Sequence, residues 1–175
     1  MVRSKLVAPH VTNFDDADVT ELEHIRQSSK NDYSKAGIKL TTMPFLIKAV
    51  AQALRNHSVI NASFNPESEQ IIYKKYVNIG VAVDTERGLM VPVIRQAEGL
   101  GIPQIARELA DLAEKARTRK IKLEDLRGGT FTISNLGSVG GTYSTPVINV
   151  PEVAILLTGR SREMPVVLDG EVQIR

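Results

Sequence analysis

The sequence predicts an α/β fold, more closely an α+β two-layer sandwich in which helices pack on one mixed β-sheet. Three observations predict it. Residues 41–57 and 103–116 carry long helical periodicities. Short apolar runs with strand character lie between and after them. Some of these runs are joined by tight-turn residues and others are separated by a whole helix, the pattern of a sheet with both antiparallel and parallel neighbours.

Residues 9–18 (PHVTNFDDAD) read as extended, opened by Pro9. Thr20 with Glu23 three positions on has the pattern of a capping box, and Leu22 and Ile25 supply an apolar face, so a helix is expected to start there. Residues 30–41 read as a loop. Thr41 or Thr42 caps a second helix, with Pro44 in its first turn, running to about His57. Lys48, Gln52 and Arg55 form its polar stripe, and the apolar remainder is expected to be buried against a sheet.

Strands are expected at Val59–Phe64, at Val77–Asp84 with Val77, Ile79, Val81 and Val83 on one face, and at Leu89–Ile94. The turn Thr85-Glu86-Arg87-Gly88 makes the last two antiparallel, and Pro92 places the return strand at an edge or on a bulge. A third helix starts near Pro103. Ile105, Leu109, Leu112 and Ala116 are its buried stripe, and Arg107, Asp111 and Lys115 are a charge ladder outside. Gly128-Gly129 precedes a strand at Thr130–Ser134. A loop rich in Gly, Ser and Thr covers 135–150, and a buried strand follows at Val153–Thr158. Asp169-Gly170 joins Val166–Leu168 to Val172–Ile174, the strongest hairpin signal in the chain.

At 175 residues, the chain suits one domain, 1–175, with a real core. Hydrophobic residues at 42% and charged residues at 24% exclude a disordered chain. A net charge of +2 is too small to argue for nucleic acid without a clustered basic patch. Lys74-Lys75 and the run Arg117 to Lys122 are short and interleaved with other residues, as solvated faces are. The absence of Cys removes disulfides, thiolate metal sites and a cysteine nucleophile. No signal peptide opens the chain and Met43 to Ala53 is too short to span a bilayer, so a soluble intracellular protein is expected.

The catalytic inventory read from residues alone is thin. His10, His24 and His57 have no partner at metal-ligand spacing, and no metal is expected. Thr132-Ile133-Ser134-Asn135-Leu136-Gly137 is a strand running into a turn, where the Ser134 hydroxyl can face a cleft or bond its own backbone. No Gly-x-Ser-x-Gly elbow surrounds it. Gly137, Gly140 and Gly141 match neither a dinucleotide nor a phosphate loop.

Longer stretches say more. PHVTNFDDADVTELEHIR (9–26), KKYVNIGVAVDTERGLMVPVIR (74–95) and FTISNLGSVGGTYSTPVINVPEVAIL (131–156) resemble the catalytic domain of the lipoate-bearing acyltransferases of 2-oxo acid dehydrogenase complexes, along nearly the whole chain. The opening stretch and Thr20 to Glu23 are most similar to the acetyltransferase branch, that of pyruvate dehydrogenase complexes. The resemblance implies a fold like that of chloramphenicol acetyltransferase. It also implies a homotrimer with sites between subunits and a larger core built from trimers. The implied reaction moves an acetyl group between the lipoyl thiol and coenzyme A. A histidine of a His-x-x-x-Asp-Gly motif is the implied base, and a serine that falls on Ser134 stabilises the oxyanion. Arg26 matches by position an arginine near the coenzyme A channel, where a cation suits a phosphate; its other reading is a surface arginine paired with Glu23.

No His-x-x-x-Asp occurs in these 175 residues. The chain also stops at Arg175, on the return arm of a hairpin. A strand, a helix and the base are therefore expected beyond it, with this chain alone inactive. Lipoyl and peripheral-subunit-binding domains, through which other subunits of the complex would be met, are absent from it. The competing reading is a non-catalytic scaffold of the same core, and a weaker one is a stand-alone acetyltransferase of the chloramphenicol type. A bacterial cytoplasm or a mitochondrial matrix is the expected location.

Overall fold

The computed structural model describes residues 2–65, 67–86, 88–137 and 140–175. Its elements are α1 (Val2–Val7), α2 (Thr20–Lys35), α3 (Met43–Asn56), β1 (Ala62–Asn65), β2 (Gln70–Tyr73), β3 (Ile79–Val81), β4 (Val83–Thr85), β5 (Gly88–Met90), β6 (Val93–Ile94), α4 (Ile102–Arg117), a 3-10 turn (Leu123–Leu126), β7 (Phe131–Asn135), β8 (Ile155–Thr158), β9 (Pro165–Leu168) and β10 (Glu171–Ile174).

The central sheet has the order β6-β3-β7-β8. β3 is antiparallel to β6 and parallel to β7, and β7 is parallel to β8. The expected mixed sheet is therefore present, with α4 in the crossover between β3 and β7. Three two-stranded ribbons, β1-β2, β4-β5 and β9-β10, surround it.

One face of the sheet is packed by helices. Ile79 and Val81 of β3, Ile94 of β6, and Phe131 and Ile133 of β7 meet Ile47, Ala51 and Leu54 of α3 and Ile105 and Leu112 of α4. The i, i+4, i+7 spacing of the α3 residues puts them on one stripe, and alternation does the same for the strands. The predicted α4 stripe is the one buried, with Leu109 packed at its margin. Lys115 pairs with Asp111 at 2.6 Å on the outer side.

Several expectations are corrected. Residues 30–35 are helical, not loop: α2 runs through Lys35 and ends where Ala36 and Gly37 donate back to Asp32 and Ser34. The Thr20–Glu23 capping box does not form. Asp18 accepts the Thr20 N–H instead, at 2.9 Å, and Glu23 turns toward Arg26 and Gln27. The Val77–Asp84 strand is split at Ala82: β3 pairs with β6 and β7 in the central sheet, whereas β4 pairs with β5 in a separate ribbon. Its four valine and isoleucine residues are nonetheless all buried. The return strand is likewise two pieces. Pro92 has no N–H to continue a ladder, and β6 beyond it is the edge strand of the sheet. Arg87 of the expected turn lies outside the described residues.

Val59 and Ile60 are not in a strand. β1 begins at Ala62 and forms a hairpin with β2, which the sequence did not announce. α3 is less covered than expected: Ala49 and Ala53 are exposed. The final hairpin is as read, with Asp169 and Gly170 at φ 52° and 84°.

Candidate active site

Ser134 is the fourth residue of β7. It lies opposite Leu157 of β8 in parallel register and is half-buried at the C-terminal end of the strand. Ligands of sheets with parallel strands gather at such ends, where loops diverge. Side chains alternate across a strand, so Ser134 shares a face with Thr132, opposite the face where Phe131 and Ile133 meet the helices.

The reading of Ser134 as a turn serine does not hold. Asn135 makes the turn: its Oδ1 accepts the Gly137 N–H at 2.9 Å, and Leu136 N donates to Thr158 O at 2.8 Å. Ser134 Oγ has no hydrogen-bond partner among the described residues. A half-buried hydroxyl without a partner is available to a substrate.

The loop after β7 folds back over it, although Ser138 and Val139 lie outside the described residues. Gly141 N donates to Leu136 O, and Arg160 N donates to Gly141 O. This requires glycine at 159, where a Cβ would come within 2.3 Å of Thr142 O. Further along, Ile148 is held on both sides by the N-terminal arm. Ser4 Oγ donates to Ile148 O at 2.6 Å, and Ile148 N donates to His10 Nε2 at 3.0 Å. The same imidazole donates from Nδ1 to Ala8 O at 2.6 Å. Both ring nitrogens are occupied, which assigns the neutral Nδ1–H tautomer and a structural role to His10. His24 is exposed on α2 and His57 is exposed beyond α3, so no histidine is brought to Ser134 as a base.

Between arm and loop, Phe14 and Tyr143 meet edge to face with centroids 5.7 Å apart, and Arg162 lies over the Tyr143 ring at 5.9 Å. With Asp15 and Asp16 these two rings line an open cleft of about 560 Å³. Nothing in the chain pattern marked it, since its walls are more than a hundred residues apart in sequence.

Arg26 is not free. Its Nε donates to Glu23 Oε2 at 2.7 Å, its Nη2 pairs with Glu23 Oε1, and Nη1 donates to Leu40 O at 3.3 Å. The Arg26 hydrogen bonds hold the Glu23 carboxyl down at about 2. The structure thus places Arg26 in the surface ion pair with Glu23, away from any bond to Ser134 or its loop.

A second carboxyl was missed by sequence reasoning. Glu152, 6% exposed, accepts the Thr132 hydroxyl on Oε2 at 2.6 Å and the Asn149 amide on Oε1 at 3.2 Å. Burial pushes its carboxyl up to about 7 against the lowering effect of those two hydrogen bonds. The signal available was one acidic residue heading an otherwise apolar run, Pro151 to Leu157. Among the described residues no cluster of His, Asp or Glu is placed to hold a metal ion.

The family profile "2-oxoacid dehydrogenases acyltransferase (catalytic domain)" matches residues 1–175. The chain belongs to this family. It is 48% identical over 172 residues to the dihydrolipoyllysine-residue acetyltransferase component of the pyruvate dehydrogenase complex of Staphylococcus epidermidis, covering 98% of this chain and 40% of that relative. The chain therefore spans well under half the length of the curated relatives it matches. The fold agrees at TM-score 0.96 and 48% identity with two family structures, over 99% of this chain and 72% of theirs. One is the Azotobacter vinelandii dihydrolipoamide acetyltransferase, solved with an investigation of the role of a serine, a histidine and an asparagine in its catalytic mechanism. The other is the cubic core of the pyruvate dehydrogenase multienzyme complex. The resemblance drawn from residues 9–26, 74–95 and 131–156 is borne out, and so is the α/β fold.

Proposed function

We propose that this domain transfers an acetyl group between a lipoyl thiol and coenzyme A, with Ser134 as the donor to the tetrahedral oxyanion. The observation that carries this is the Ser134 hydroxyl itself, without a hydrogen-bond partner among the described residues, at the C-terminal end of a parallel strand in a chain of this family. The thiol sulfur attacks the thioester carbonyl, a new C–S bond forms and the carbonyl oxygen becomes an alkoxide. The Ser134 O–H donates to that oxygen, whose charge exists only around the transition state. Collapse breaks the old C–S bond and releases the other thiol. The attacking thiol must lose its proton to a base.

No histidine of these residues is placed as that base, since His10 is fully bonded and His24 and His57 are exposed on α2 and beyond α3. For the Azotobacter relative the role of a serine, a histidine and an asparagine in the catalytic mechanism was investigated, and among the described residues no histidine stands beside Ser134. The base is therefore proposed to lie outside residues 1–175, and this polypeptide alone is proposed to be inactive. Arg26 as a coenzyme A contact stays part of the proposal in a narrower form: a phosphate would have to compete with Glu23 for the guanidinium. The similarity to a cubic core supports assembly through trimers into a larger core, with other complex subunits met through domains elsewhere.

The test is transfer from acetyl-coenzyme A to dihydrolipoamide by the complete protein that carries this domain. Acetyl-dihydrolipoamide formed with stoichiometric release of coenzyme A is expected. Assembly without any transfer would favour the scaffold reading, and transfer to chloramphenicol instead would favour the stand-alone one.

A further inference from the structure

We propose that Glu152 is a positioning residue for the Ser134 site: as a carboxylate it clasps the loop that leaves β7 to the strand face that carries the serine. This rests on the reading of Ser134 as oxyanion donor.

The clasp has two arms. One is the Thr132 hydroxyl, two residues before Ser134 on the same face of β7, donating to Oε2 at 2.6 Å. The other is the Asn149 amide, donating to Oε1 at 3.2 Å from the far end of the loop, just past Ile148. The backbone adds Glu152 N to Asn149 O at 3.0 Å and a bridge between Glu152 and Ser63 of β1. Space is kept for it: opposite Thr132 in the register stands Gly80, where a Cβ would lie 3.2 Å from the Thr132 hydroxyl and 2.7 Å from Val91. A side chain at 80 would collide with Val91 and crowd the Thr132 hydroxyl.

Both protein groups on the carboxyl are donors, so the ionised form satisfies them together. A protonated carboxyl must use one oxygen as a donor, and one arm of the clasp has to rearrange. The groups facing Glu152 are Thr132 from β7, Gly129 ahead of that strand, Ser63 from β1 and Asn149 from its own segment. None of these ionises, and among the described residues no charged group contributes to its raised carboxyl. The clasp therefore answers to Glu152 alone.

The experiment compares wild type, Glu152→Gln, Thr132→Val and Thr132→Ser in the complete protein, with turnover measured from pH 5.5 to 8.5. Displacing a reacting group costs roughly ten- to a hundredfold in rate. The ratio of wild-type to Glu152→Gln turnover is expected to rise with pH through about 7 to about tenfold, with KM for coenzyme A nearly unchanged. A ratio cancels the titration of the base common to both proteins. Thr132→Val should lose turnover similarly, and Thr132→Ser should restore it. A pH-independent ratio, or a Thr132→Val protein with normal turnover, overturns the proposal, and so does a Thr132→Ser protein as slow as Thr132→Val. If Ser134→Ala is itself without effect on turnover, it is the oxyanion reading that has failed. If Ser134→Ala is slow while the Glu152→Gln ratio stays flat, only the clasp has failed.

Discussion

Thr132 and Glu152, twenty residues apart, are joined by a 2.6 Å hydrogen bond on the face of β7 that Thr132 shares with Ser134. The carboxyl is buried against neutral groups, which sets its response to pH. Its folded-state pKa, about 7, lies above the ordinary 4.5. A raised carboxyl favours the fold when protonated. That contribution is fully present below pH 4.5 and is lost as pH rises through about 7.

The Glu152→Gln protein should therefore become more stable than wild type as pH increases from 5 to 8. The full rise is worth about 3 kcal/mol at pH well above 7, to order of magnitude. Denaturant unfolding at several pH values measures it. Parallel pH curves for the two proteins would show that Glu152 titrates normally. Stability and turnover are expected to move in opposite directions in this variant, a result that mere loss of packing does not produce.

His10 is expected to hold the arm and not to catalyse. His10→Ala leaves the Ile148 N–H without its partner, a loss of about 1 kcal/mol. Limited proteolysis should then cut within residues 1–18 sooner than in wild type, while turnover of the complete protein falls far less than general-base removal would demand, roughly 10²–10⁴-fold. A loss of that size with an intact arm would make His10 a base.

Arg26 is expected to act first through Glu23. Arg26→Ala removes a partly exposed ion pair worth about 0.5 kcal/mol. Because the Glu23 carboxyl is lowered to about 2, that contribution should be present above about pH 4.5 and lost as pH falls toward 2. If a coenzyme A phosphate also reaches this guanidinium, Arg26→Ala should weaken coenzyme A more than dephospho-coenzyme A. Equal losses for the two ligands count against a contact to the 3′-phosphate.

The elements legible in the sequence are those with a local physical cause. α3 and α4 show helical apolar spacing around Pro44 and Pro103, β7 follows a Gly-Gly break, and Asp169-Gly170 forms the left-handed turn of its hairpin. What escaped has non-local causes. The last turns of α2, Lys30 to Lys35, are polar apart from Tyr33 and carry no apolar period. β2 is exposed at every position, so alternation has nothing to mark. Ser134 was legible through its strand and its family stretch. Glu152 was not, because a carboxyl is identified as buried only when Thr132, Asn149 and Ser63 are seen around it.

Ser134 is proposed to stabilise charge in the transition state. The most direct test of this role is steady-state kinetics of Ser134→Ala in the complete protein with coenzyme A varied. Turnover should fall roughly 10²–10³-fold with KM nearly unchanged. The melting temperature should hold, since Ser134 Oγ bonds to nothing among the described residues. A protein with normal turnover and a lowered melting temperature would contradict the account and return Ser134 to a structural role.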